Sequence, residues 1–177
     1  MAERETVDRV RERQGVLSEI QNFFTRGYGT KEDLRELDRK LRDLYYADLR
    51  DLRHVWEGIY LGALNAGVAA SSGDFKKVIQ VMDRVMEEVR HADYGYAGLM
   101  DRKGSIRETG LARVFDYDRA LAADIEALEG TVKKIHGDAE AGNWAGVPDE
   151  VKTVKGLLLA FEEKWREREN RFRPLEV

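Results

Sequence analysis

The chain has 177 residues, 42% apolar and 36% charged, with a net charge of −4. Such a balance describes a chain that buries a core rather than a disordered one, and the length suits one domain, or one domain with an appended helical hairpin. The negative charge argues against a general binder of nucleic acid or acidic membranes, and the lack of cysteine excludes disulfides, thiolate metal sites and a cysteine nucleophile.

The polar start Met1-Ala2-Glu3-Arg4-Glu5 has no apolar signal core, and the longest mostly apolar stretch, Ile59 to Ala70, is too short to span a bilayer. The expected setting is therefore the cytoplasm, with no membrane. Arg outnumbers Lys while Asn and Gln are scarce, a composition suited to a thermophile or a GC-rich genome.

Apolar spacing predicts five helices. The first, over 3–24, carries Val7, Val10, Leu17, Ile20 and Phe24 on one face. Thr30 caps the second, with Asp33 as its partner three residues on. That helix, over 31–70, opens its stripe with Leu34, Leu37, Leu41 and Leu44 and continues it through Tyr45, Leu49, Leu52, Trp56, Ile59, Ala63, Ala66 and Ala70. An unbroken helix of this length outreaches the others, so part of its stripe is expected to overhang and need a cover. Gly58, Gly62, Ala66 and Ala70 form a row of small residues at spacings of four, which predicts close helix packing or a bend.

Asp74 is the expected N-cap of the third helix, 75–99, whose stripe runs Phe75, Val78, Met82, Val85, Val89, Ala92, Tyr96 and Leu99. Ser105 and Glu108 predict a capping box for the fourth, 106–136, with Gly137 to Val147 as the next loop. Pro148 stands in the first turn of the fifth, 148–172, followed by Asp149 and Glu150, which suit a helix N-terminus. Aligning Gly73-Asp74-Phe75 with Gly142-Asn143-Trp144 gives a faint internal echo of a duplicated hairpin, but the 34-residue period of tetratricopeptide repeats is missing. The expected fold is all-α: a single-domain bundle of four to five mainly antiparallel long helices with coiled-coil-like packing.

Glu88-Val89-Arg90-His91 has the Glu-x-x-His spacing of ferritin-like di-iron bundles, and Asp51-Leu52-Arg53-His54 is a shorter-armed version. A bundle metal site needs inward ligands, yet with Phe75, Val78, Met82 and Val85 at a and d, Glu88 falls at g and His91 at c. His54 lies opposite the stripe of its own helix. No metal, cofactor or catalytic set is therefore assigned, and a ferritin-like metal enzyme using Glu88, His91, His54 or Asp118 is the alternative reading.

Asp118 sits in the stripe between Val114 and Leu121, and Arg168 interrupts the stripe of the last helix. Buried charges need partners, so a pairing of these two polar core positions would fix helix register, as single polar residues do in coiled coils. Arg102, Lys103 and Ser105 form a candidate anion-binding loop at a helix N-terminus. Tyr46, Tyr94 and Tyr117 lie off the stripes and are candidates for an interaction surface.

The basic residues Lys164, Arg166, Arg168, Arg171 and Arg173 alternate with acids, and nucleic-acid binding through this helix is a second alternative. With no catalytic motif, the leading expectation is a non-catalytic interaction, assembly or regulatory module with a protein partner, self-associating as a homodimer.

Overall fold

A computed structural model describes residues 2–26, 30–68, 72–92 and 108–172. Among these, five helices and no strand are found: α1 (Ala2–Arg26), α2 (Lys31–Asn65), α3 (Ser72–Arg90), α4 (Glu108–Glu140) and α5 (Val147–Phe172).

The start of α2 is set by Thr30. The Asp33 amide donates to Thr30 Oγ1 at 3.2 Å, and the Thr30 amide donates to Asp33 Oδ2 at 2.7 Å. Both exchanges satisfy amides that a helix leaves unpaired in its first turn. From there α2 runs without a break through Gly58 and Gly62, about 52 Å of helix.

Its end comes earlier than position 70. Gly67 adopts φ 71°, Gly67 N donates to Leu64 O at 3.2 Å, and Val68 N donates to Ala63 O at 3.0 Å. This is a glycine-terminated C-cap, in which the left-handed residue turns the chain back onto the last carbonyls. The end of α4 repeats it: Gly142 has φ 72°, and Gly142 N and Asn143 N donate to Ala139 O and Asp138 O at 3.1 and 2.8 Å. The residue equivalent to Gly142 is thus Gly67 rather than Gly73, which lies inside α3.

Other boundaries also move. Helix α3 starts at Ser72, so Asp74 sits within the first turn instead of capping it, and α3 ends at Arg90 rather than near 99. Helix α4 extends to Glu140, so Gly137 is helical and the connection to α5 is shorter than expected. Ser105, and with it the predicted capping box, lies outside the described residues.

Helices adjacent in sequence run antiparallel. Arg9 meets Asp51 and Arg13 meets Asp48 across α1 and α2. Arg53 meets Asp83, and Trp56 Nε1 donates to Phe75 O at 3.0 Å, across α2 and α3. Asp124 meets Lys164, and Asp118 meets Arg168, across α4 and α5.

The two hairpins, α2–α3 and α4–α5, then lie side by side in the same sense. Asp74 faces Lys155 and Glu88 faces Arg166 along α3 and α5. Along α2 and α4, Tyr45 reaches Asp118, and Gly62 lies under Trp144 just beyond the end of α4. Helix α1 rests on α2 and α4. The all-α bundle is as expected; the parallel pairs between hairpins are what the short connections did not reveal.

The core is made from the predicted stripes. Leu34, Leu41, Tyr45, Trp56 and Ile59 of α2 are buried, facing Phe75, Met82 and Val85 of α3 and the matching rows of α4 and α5. The stripe expected to overhang from α2 is covered within the chain as far as Ala63, because α3, α4 and α1 together surround it, while Ala66 is exposed and Ala70 lies outside the described residues.

The row of small residues divides. A Cβ on Gly62 would meet the Trp144 ring at 3.3 and 3.4 Å, whereas Gly58 has open space and Ala66 is exposed. The close approach is by one indole ring, not by a helix. Replacing Gly58 with alanine is expected to stabilise the protein by about 0.5–1 kcal/mol, the usual gain at an exposed helical glycine. Gly62→Ala should gain less, since Trp144 must shift. Thermal melting of the two variants reads the difference.

Candidate functional site

Apart from Glu162, which pairs with Arg84 and Arg166 between α3 and α5, the buried charged residues described fall into two clusters joined by α2. The first is centred on Arg168 of α5, which is fully buried. Its Nε donates to Asp118 Oδ1 of α4 at 2.5 Å, and its Nη2 to Asp38 Oδ1 of α2 at 2.6 Å. Nη1 donates to Glu169 at 3.3 Å, and the guanidinium carbon lies 5.0 Å from the Trp165 ring centroid. Asp38 also faces Arg42 Nε at 3.1 Å, and Arg42 donates to the Ala92 carbonyl. Tyr45 donates its hydroxyl to the Asp118 carbonyl oxygen at 2.9 Å. Burial, reinforced by Asp118, holds the Tyr45 phenol well above its usual range.

Arginine suits this place because its planar fork serves several carboxylate oxygens at once and it stays charged. Asp118 and Arg168, the polar positions singled out from the stripes, thus meet each other, with Asp38 as a third member.

The second cluster joins α1 to α2 and α4. Arg13 is fully buried and donates to Asp48 Oδ2, while its Nη2 lies 3.7 Å from Glu126 Oε1. Arg9 pairs with Asp51 at 2.6 Å and faces Asp48 at 3.3 Å. Burial pushes the Asp48 carboxyl above its ordinary value against the pull of Arg13 and Arg9. Glu129 of α4 is pushed up to about 7, by burial first and by Asp48 second, with Arg13 and Arg9 pulling the other way. Glu169, in the first cluster, is likewise pushed up to about 7, chiefly by burial.

Arg13, Asp38, Asp48 and Glu162 were missed in the sequence, though the signal that exposed Asp118 was present for Arg13 and Asp38; Asp48 and Glu162 sit beside the buried Leu49 and Phe161 of unbroken rows. Arg13 fills the stripe gap between Val10 and Leu17, and Asp38 the gap between Leu34 and Leu41. Leu37 and Leu44 sit beside the true inward row, are only half-buried, and masked the interruption.

The remaining candidates are dispersed. His54 is exposed. Glu88 accepts Arg166 Nη2 at 2.6 Å, while His91 is 71% exposed and lies 3.0 Å from Glu87. Glu88 and His91 therefore face different partners. Among the described residues, no group of three or more His, Cys, Asp or Glu is placed to hold a metal ion.

Of the basic residues on the last helix, Lys164 is held by Asp124, Arg166 by Glu88 and Glu162, and Arg168 is inside. Tyr46 is half-buried with the Arg90 guanidinium 5.9 Å from its ring centroid, and Tyr117 is half-buried. Tyr94, Arg102, Lys103 and Ser105 lie outside the described residues, and no described helix is long and apolar enough to cross a membrane. The chain matches no family model, no curated protein and no solved structure.

Two outcomes follow from the clusters. Arg168→Met leaves Asp38 and Asp118 buried without their shared counter-charge and should cost about 3–5 kcal/mol in denaturant unfolding. Adding Asp38→Leu and Asp118→Leu should recover most of that loss.

For Glu129, the folded value near 7 lies above the ordinary value of 4.5. Its proton-linked stabilisation is then fully present below the unfolded value and is lost as pH rises through about 7. Glu129→Gln should therefore raise stability at pH 8 by on the order of 1–2 kcal/mol. That corresponds to roughly 2–8 °C in Tm. Near pH 4.5 the effect should vanish, and paired melting curves at the two pH values measure it.

Proposed function

We propose that the chain is a non-catalytic helical module for protein–protein interaction, acting in assembly or regulation and associating with a second copy of itself. The observation that carries this reading is how the interior charges are used. The described arginines and carboxylates at the centre of the bundle engage one another across helices, which holds helices in place and leaves helix surfaces as the parts that act outward.

The architecture supports it by analogy. Helical hairpins laid side by side in one sense are how repeat scaffolds build extended binding surfaces. A cytoplasmic setting belongs to the same reading.

Self-association rests on a local feature, now that the stripe of α2 is accounted for inside the chain as far as Ala63. Leu61 and Leu64, one turn apart at the end of α2, are 59% and 40% exposed. A two-fold axis there would bring the same turn of a second copy over them and cover both sets at once. Light scattering at micromolar concentration should give twice the chain mass, and the pair Leu61→Gln and Leu64→Gln should return the monomer mass with melting unchanged. A monomer for the unaltered chain across that range overturns self-association.

A further inference from the structure

The two halves of α1 are attached by different forces. Its second half buries Val16, Leu17 and Ile20. In its first half, among the described side chains, Val7 is 50% exposed, Val10 is only half-buried, and the one fully buried side chain is Arg13. This half lies in a trench walled by Asp48 and Asp51 of α2 and by Glu126 and Glu129 of α4, with Arg9 and Arg13, four residues apart, pointing in.

The fit is incomplete. Nε and Nη2 of Arg13 and Oδ1 of Asp48 are buried without a hydrogen-bond partner. Among the described residues, two arginines face the carboxylates of Asp48, Asp51 and Glu126, with Glu129 close by and only partly ionised near neutral pH, so acidic groups still outnumber basic ones when the trench is occupied, and a buried cation is left with donors to spare.

We propose that the trench between α2 and α4 is a binding surface for an amphipathic helix that presents paired arginines on its inward face, and that the first half of α1 is its intramolecular occupant, displaced when a partner docks. The partner is a helix with arginines at a four-residue spacing on one face and small or apolar residues around them, the pattern α1 itself presents with Arg9, Val10, Arg13 and Val16. Arginine rather than lysine is specified, because a planar fork reaches carboxylates on both walls. The half of α1 beyond Gly15 stays anchored by its apolar contacts, so release is local rather than a loss of the fold. This inference goes beyond self-association through Leu61 and Leu64 and does not depend on it.

The probe is a labelled peptide of residues 2–26 of this chain, titrated against the full-length protein and against the full-length Arg9→Gln, Arg13→Gln variant, with fluorescence anisotropy as readout. The variant, whose own α1 no longer fills the trench with charge, should bind at least about tenfold tighter than the unaltered protein, and binding should weaken with added salt. A peptide carrying the same two glutamines should not bind. No binding to a variant that is folded by circular dichroism overturns the proposal, as does binding that salt leaves unchanged.

Hydrogen exchange on the unaltered protein provides an independent test should the variant fail to fold. Amides of residues 7–14 should exchange at least about tenfold faster than those of residues 17–24, with the gap widening in salt. Equal protection of the two halves at low and high salt overturns the proposal.

Discussion

A fully buried guanidinium that must be shared between two carboxylates is the constraint on which the arrangement of the helices depends. Arg168 belongs to α5, Asp118 to α4 and Asp38 to α2, so one side chain ties both hairpins together. Rows of leucine and valine supply most of the burial, but they are tolerant: sliding one helix by a turn, about 5.4 Å, sets one apolar row against another. The same slide would pull a carboxylate away from Arg168 and leave a buried charge uncompensated, which is among the most destabilising single events in a protein interior. The apolar stripes therefore drive association, and the ionic contacts select the register. Tyr45, donating to the backbone of Asp118 while its ring meets Phe161 and Trp165 edge-on, ties that polar centre to the surrounding core.

The same chemistry at different depth has a different consequence. On the outer face of α3 and α5, Arg84 with Glu162 and Arg166 with Glu88 form a ladder in which the arginines are half exposed. Water and salt screen such pairs, and they add little stability, though they follow the parallel alignment that the interior sets. Between α1 and its neighbours the burial is deep but the pairing is incomplete, with orphaned donors on Arg13 and a carboxyl on Glu129 raised to about 7. The first half of α1 is thus placed by charge, whereas its second half, with Val16, Leu17 and Ile20 buried, is held by apolar contacts like the other helices.

Much of the fold was legible because local rules operate within a single helix. Thr30 with Asp33 announced the start of α2, and the rows through Trp56 and Met82 announced which faces go inside. The interruption of those rows also pointed to Asp118 and Arg168. Arg13 and Asp38 carried the same signal more faintly, Asp38 because Leu37 offered a competing apolar row in α2. Helix ends were less legible. Gly67 and Gly73 are equivalent in composition, and only the backbone that one of them adopts, with φ 71° at Gly67, marks where the helix stops.

By itself the chain determined that it would be helical, which residues of each helix would turn inward, and that charges lay among them, because each of these follows from periodicity over a few turns. Tertiary structure alone decided which charges meet, that the hairpins lie in the same sense, that the inward row of α2 is covered through Ala63 by the rest of the chain, and that Glu88 pairs with Arg166 while His91 lies beside Glu87. These are outcomes of packing between segments distant in sequence, where the partner of a side chain is set by the geometry of the whole bundle and not by its neighbours along the chain.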